Sequence, residues 1–69
     1  MKDEFKLPKG SWEDQVASID TIEEALDDKG VMQRFVYVMW ENGSKTRHQL
    51  QTVNEKCPQK MLRYYESHL

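Results

Sequence analysis

Only one of the 69 residues is cysteine, two are proline and three are glycine. A single thiol, Cys57, excludes an intrachain disulfide framework and any zinc site built from several cysteines. Gly10, Gly30 and Gly43 lie far apart, so no glycine-rich loop cradles a phosphate. The longest apolar run, Phe35 to Trp40, is six residues, whereas a membrane-spanning helix needs about 20. Positive charge is not in excess either. Ten Lys and Arg face twelve Asp and Glu, for a net charge of -2. A domain whose main task is gripping phosphate carries a basic surplus, so no direct nucleic-acid or membrane partner is expected. Met1-Lys2-Asp3-Glu4 leads into no apolar segment of the signal-peptide kind. Together with the lone thiol this favours a reducing compartment, cytosol or nucleus.

What is present belongs to one small folded domain. The seven aromatics (two Trp, three Tyr, two Phe) are too many for a disordered tail, even at a mean hydropathy of -0.88. A chain this short buries only roughly 60% of its unfolded surface. It needs a staple, and with disulfide and metal excluded a partner subunit is the staple left. Residues 1–11 read as a charged, flexible lead-in and 12–69 as the domain, with Trp12 as its first large apolar anchor.

Along the domain, Val16, Ile19 and Ile22 fall at i, i+3, i+6, while their β-branched character favours a strand. Thr21 and Glu24 form a capping-box pattern, so a strand to about Thr21 followed by a brief helical turn is expected. Asp27-Asp28-Lys29-Gly30 marks a turn. Gln33–Trp40 is the clearest strand. Phe35, Tyr37 and Met39 point one way and Val36, Val38 and Trp40 the other, so it is expected to be central and covered on both faces. Asn42-Gly43 predicts a two-residue type I′ hairpin, with Ser44–Gln49 as a polar edge strand. Gln51–Lys56 has room for one helical turn. Pro58 suits the first position of a final helix through Leu69.

That helix carries the most informative pattern. Tyr64, Met61, Tyr65, Leu69 and Leu62 span an arc of roughly 160°, where a helix lying on one sheet needs about 100°. Met61 and Tyr64 at one edge can cover the sheet. Leu62, Tyr65 and Leu69 (i, i+3, i+7) are left as a seam for another helix, and about a two-fold axis each copy offers the same patch to the other.

Other constellations are weaker. His48, His68 and Cys57 are the soft metal ligands, but their spacing matches no zinc pattern, so no metal or other cofactor is expected. Ser18, His48 and Asp20 offer a triad composition without a nucleophile elbow to frame it, so no catalysis is expected. Glu23, Glu24, Asp27 and Asp28 read as a solvated acidic loop, and Tyr37 and Trp40 as core aromatics rather than parts of a cation cage.

The strand Phe35-Val36-Tyr37-Val38-Met39-Trp40, the Glu41-Asn42-Gly43 turn and the run Cys57-Pro58-Gln59 through Tyr65-Glu66-Ser67-His68-Leu69 resemble the chromo shadow domain of the heterochromatin protein 1 family. Ser11-Trp12-Glu13-Asp14 and Ser18-Ile19-Asp20-Thr21 resemble its fungal members. The resemblance runs from Ser11 to Leu69. It implies an α+β fold, a three-stranded antiparallel sheet packed against C-terminal helices. It implies a non-catalytic homodimer paired through Leu62, Tyr65 and Leu69. It also implies a partner groove at Tyr65, His68 and Leu69 for extended Pro-x-Val-x-Leu-like segments of silencing proteins such as deacetylase or remodelling-complex subunits, in nuclear heterochromatin. The family's groove uses residues just past the last helix, so part of it is expected to lie beyond Leu69. The stretch from Glu23 to Met32 looks longer than is usual for the family. The alternative from another class is a chromodomain-like reader of histone tails or nucleic acid. Of the three cage aromatics of the sister chromodomain, Trp40 matches one, while Gly43 and Gln15 or Val16 stand near the other two. One wall makes a poor cage, so methyl-lysine reading is not expected.

Overall fold

The computed structural model describes residues 6–68. Three strands, β1 (Val16–Leu26), β2 (Met32–Trp40) and β3 (Lys45–Gln49), are followed by helices α1 (Leu50–Lys56) and α2 (Pro58–Ser67). The sheet is antiparallel in the order β1-β2-β3. This is the α+β architecture expected, with β2 at its centre.

β1 resolves the ambiguous spacing of Val16, Ile19 and Ile22. Its pairing with β2 slips twice, between Val16 and Ser18 and between Ile19 and Thr21. Each slip is a β-bulge that inserts one extra residue and shifts the side-chain alternation. A period of three thereby places Val16, Ile19 and Ile22 opposite Trp40, Val38 and Val36, all towards the core. The helical turn expected after Thr21 does not form. Ile22–Leu26 continue the ladder against Met32–Val36, because β2 offers them a full run of partners. Glu23 and Glu24 are therefore strand residues, not loop residues. The long Glu23–Met32 stretch is the end of a hairpin, closed where Asp27 Oδ1 accepts the Lys29 and Val31 N–H groups, each at 2.9 Å.

The second hairpin also differs from expectation. The Trp40 N–H donates to Ser44 O at 2.8 Å and the Gly43 N–H to Trp40 O at 2.9 Å, so the loop holds three residues, Glu41-Asn42-Gly43. Only Gly43 takes a positive φ, at +91°, whereas a type I′ turn requires two. Asn42 Oδ1 instead accepts the Ser44 N–H at 2.9 Å.

Trp12, Val16, Ile19, Val36, Val38, Trp40, Val53, Cys57 and Met61 form the core, with Ile22, Leu50 and Tyr64 packed on it. Trp12 and Trp40 meet edge to face at 5.1 Å. The Trp12 N–H donates to Lys56 O at 2.8 Å, and its indole N–H to Pro8 O at 3.0 Å. Both helices and Trp12 lie on one face of β2. Among the described residues no second layer covers the other face, contrary to expectation. Phe35, Tyr37 and Met39 remain half-buried. Long polar side chains lie over Phe35 and Tyr37 instead: the Arg47 guanidinium sits 3.8 Å from the Phe35 ring centre, and the Tyr37 hydroxyl donates to Glu23 Oε1 at 2.8 Å.

Candidate functional site

The site is built on α2, and its local sequence explains why the helix starts where it does. Cys57 ends α1, donating its N–H to Val53 O at 2.8 Å, and precedes Pro58, whose missing N–H costs nothing at a first helical position. The Gln59 N–H, which has no partner within the helix, donates to Glu13 Oε2 at 2.7 Å. A carboxylate 46 positions away thus caps α2 and ties the start of the domain to its end. Sequence reading missed this role for Glu13, because no local cap motif signals it.

Met61 is 1% exposed and lies in the core, and Tyr64 packs on its margin. Leu62 is 51% and Tyr65 44% exposed, both on the outer side of the helix. Leu69 lies outside the described residues. His68, the other residue implied for the partner groove, is exposed at the end of α2. Its ring stacks on Tyr64 at 4.2 Å, and Nδ1 lies 2.8 Å from Tyr64 O. Tyr64 and Tyr65 meet edge to face at 5.9 Å. The outcome is a helix end with two exposed apolar side chains braced by an aromatic pair.

The remaining candidates are held apart. His48 is half-buried on β3 against Trp12, ring centres 4.9 Å apart. Its Nε2 lies 2.8 Å from Thr46 Oγ1, which also accepts the Trp40 indole N–H at 2.7 Å. Burial holds the imidazole pKa below its ordinary value of 6.5. Asp20 pairs with Lys45 at 3.0 Å, and Ser18 faces α2, so Ser18, His48 and Asp20 do not converge. Cys57 is fully buried. Burial first, and the nearby charge of Glu13 second, push its thiol up to about 11. Among the described residues no three metal-ligating side chains come together. The acidic residues also separate. Glu23 pairs with Arg47 at 3.3 Å and Glu24 with Arg34 at 3.2 Å, while Asp27 organises its turn. Backbone N–H donors, that of Val31 foremost, hold the Asp27 carboxyl below its ordinary range. Trp40 is buried in the core. The shallow hollow beside it is lined by Asp14, Gln15, Glu41 and Asn42, which supply no second aromatic wall.

The sequence profile of the chromo shadow domain matches residues 8–69. The chain is 36% identical over 67 residues to Chromo domain-containing protein 2 of Schizosaccharomyces pombe, covering 94% of this chain and 17% of that protein. It therefore spans about a sixth of the length of the curated relative it matches. Among solved structures it is similar to the Chp2 chromoshadow domain, crystallised in complex with the N-terminal domain of the chromatin remodeler Mit1. That match has a TM-score of 0.79 and 34% identity, and covers 94% of this chain and 96% of the other. The family consists of protein-interaction modules of chromatin rather than enzymes. Fold, profile and structural likeness agree, and the chain belongs to the chromo shadow domain family.

Proposed function

We propose that this chain is the non-catalytic dimerisation and recruitment module of a nuclear heterochromatin protein, with residues 12–69 as its folded unit. Two copies pair through Leu62 and Tyr65 of α2 together with Leu69, with Tyr65 nearest the two-fold axis. The pair presents a groove around Tyr65, His68 and Leu69 that takes extended Pro-x-Val-x-Leu-like segments of silencing partners, such as deacetylase or remodelling-complex subunits. The observation that carries this reading is the exposure of Leu62 and Tyr65 on a helix whose opposite edge, at Met61, is already committed to the core. The complex of the similar Chp2 domain with part of a chromatin remodeler supports a protein partner of that class.

Covering an aromatic such as Tyr65 contributes about 1.5–3 kcal/mol per copy, and a carboxylate placed there is left buried and unpaired. Tyr65→Glu is therefore expected to give a single copy in solution. Light scattering behind a sizing column checks this at micromolar concentration. A variant that keeps twice the chain mass contradicts the proposed seam. Titration of a Pro-x-Val-x-Leu peptide against the chain, with and without further residues after Leu69, then tests the groove separately from the pairing.

A further inference from the structure

Across α2 from Leu62 and Tyr65, an open groove of about 310 Å³ runs between the helix and the start of β1. The helix contributes Lys60, Arg63 and Tyr64, and the strand Ala17, Ser18 and Ile19. Ile19 is buried and forms the floor, while Ala17 and Ser18 are exposed. Among the described residues β1 is an edge strand with β2 on one side only, so its outer row of backbone donors and acceptors has no strand beside it there.

The charge in this groove has one sign. Among the described residues no carboxylate side chain lines it. Among the described residues, the ion pairs engage Arg34, Lys45 and Arg47 and leave Lys60 and Arg63 out. Asp20, the next acid along β1, is drawn away to Lys45 at 3.0 Å. Two cations without acidic partners therefore flank a free strand edge in a chain whose net charge is -2.

We infer that this groove binds an extended, acidic segment of a partner protein. Its main chain runs beside Ala17–Ile19, and its carboxylates at alternate positions meet Lys60 and Arg63. Same-face side chains of a strand repeat at about 6.6–6.8 Å, while residues three apart on a helix rise about 4.5 Å. The long stems of Lys60 and Arg63 take up the difference. The bulges that bracket Ser18 and Ile19 leave only a short regular edge, so the carboxylates supply more of the grip than a ladder does. Nucleic acid would satisfy the cations but offers no peptide groups to the edge, and the net negative charge opposes a polyanion at long range. The inference rests on the proposed function in treating the chain as a protein-binding module, and this groove meets the proposed partner groove at His68, but its test leaves the Leu62–Tyr65 seam untouched.

The probes are a labelled peptide in which Glu alternates with Thr, its Gln-for-Glu counterpart, and a short DNA duplex, titrated at low salt. Fluorescence polarisation gives affinity and amide NMR shifts give the location. Saturable binding of the Glu peptide is expected, with shifts centred on Ala17, Ser18 and Ile19. Lys60→Gln/Arg63→Gln is expected to weaken it at least about tenfold, and Arg63→Gln alone, at an exposed position, about threefold. Both variants should keep the solution mass of the parent. Equal binding of the Gln peptide, shifts centred elsewhere, unchanged affinity in the variants, or binding of DNA alone would each overturn the inference. A parent that runs as a single copy would instead count against the α2 pairing and leave this groove standing.

Discussion

Cys57 has no exposed surface and sits at the junction of α1 and α2. Its burial has a consequence for pH. In the unfolded chain the thiol titrates near its ordinary value of 9.0, whereas in the fold it holds its proton to about 11. Between those values the unfolded state binds fewer protons, so stability falls as pH rises. The contribution is complete below about 9 and lost above about 11, and amounts to roughly 2–3 kcal/mol. Other groups titrate in the same window, so the comparison is with Cys57→Ala. Urea unfolding across the window is expected to show a steeper loss for the parent than for the variant, and parallel losses would refute the assignment. Thiol reagents are expected to label the native protein slowly at neutral pH, since both access and thiolate are scarce.

At the scale of the element, α2 depends on a residue far from it in sequence. Pro58 sets the first turn, and Glu13 accepts the Gln59 N–H at 2.7 Å. Replacing a capping acceptor by Ala costs about 0.5–2 kcal/mol. Glu13→Ala is expected to lose that much in denaturant melts, with protection of the α2 amides from hydrogen exchange falling first. A variant as stable as the parent would show that the contact contributes nothing. β1 shows another dependence on distant partners. Its apolar residues recur every third position, which in isolation fits a helix as well as a strand. Two bulges convert that period into a strand face opposite Trp40, Val38 and Val36. The capping-box pattern of Thr21 and Glu24 was legible but lost to the ladder, because Ile22–Leu26 satisfy their backbone groups against β2 and a lone helical turn of that length does not sustain itself.

For the molecule as a whole, neighbouring residues of α2 have opposite tasks. Met61 is 1% exposed and Leu62 51% exposed. Met61→Ala is expected to destabilise the fold by about 2–5 kcal/mol through a core cavity, whatever the protein concentration. Leu62→Ala is expected to change the stability of a single copy by no more than about 0.5 kcal/mol and to shift the concentration at which two copies separate. Melting curves over a dilution series distinguish the two. The same small effect of both substitutions, independent of dilution, would count against the proposed pairing.

The family resemblance implied the class of fold, and the sequence by itself determined the central strand with its turn signals, the start of α2 at Pro58 and the excess width of that helix's apolar arc. These are set by residues within a few positions of one another, where propensity and periodicity act. Tertiary structure alone decided the alternation of β1, the polar cover over Phe35 and Tyr37, the cap from Glu13 and the basic groove beside Ala17–Ile19. Each of these joins groups distant in the chain, and its geometry exists only once β2 has paired on both sides and the helices have closed over one face.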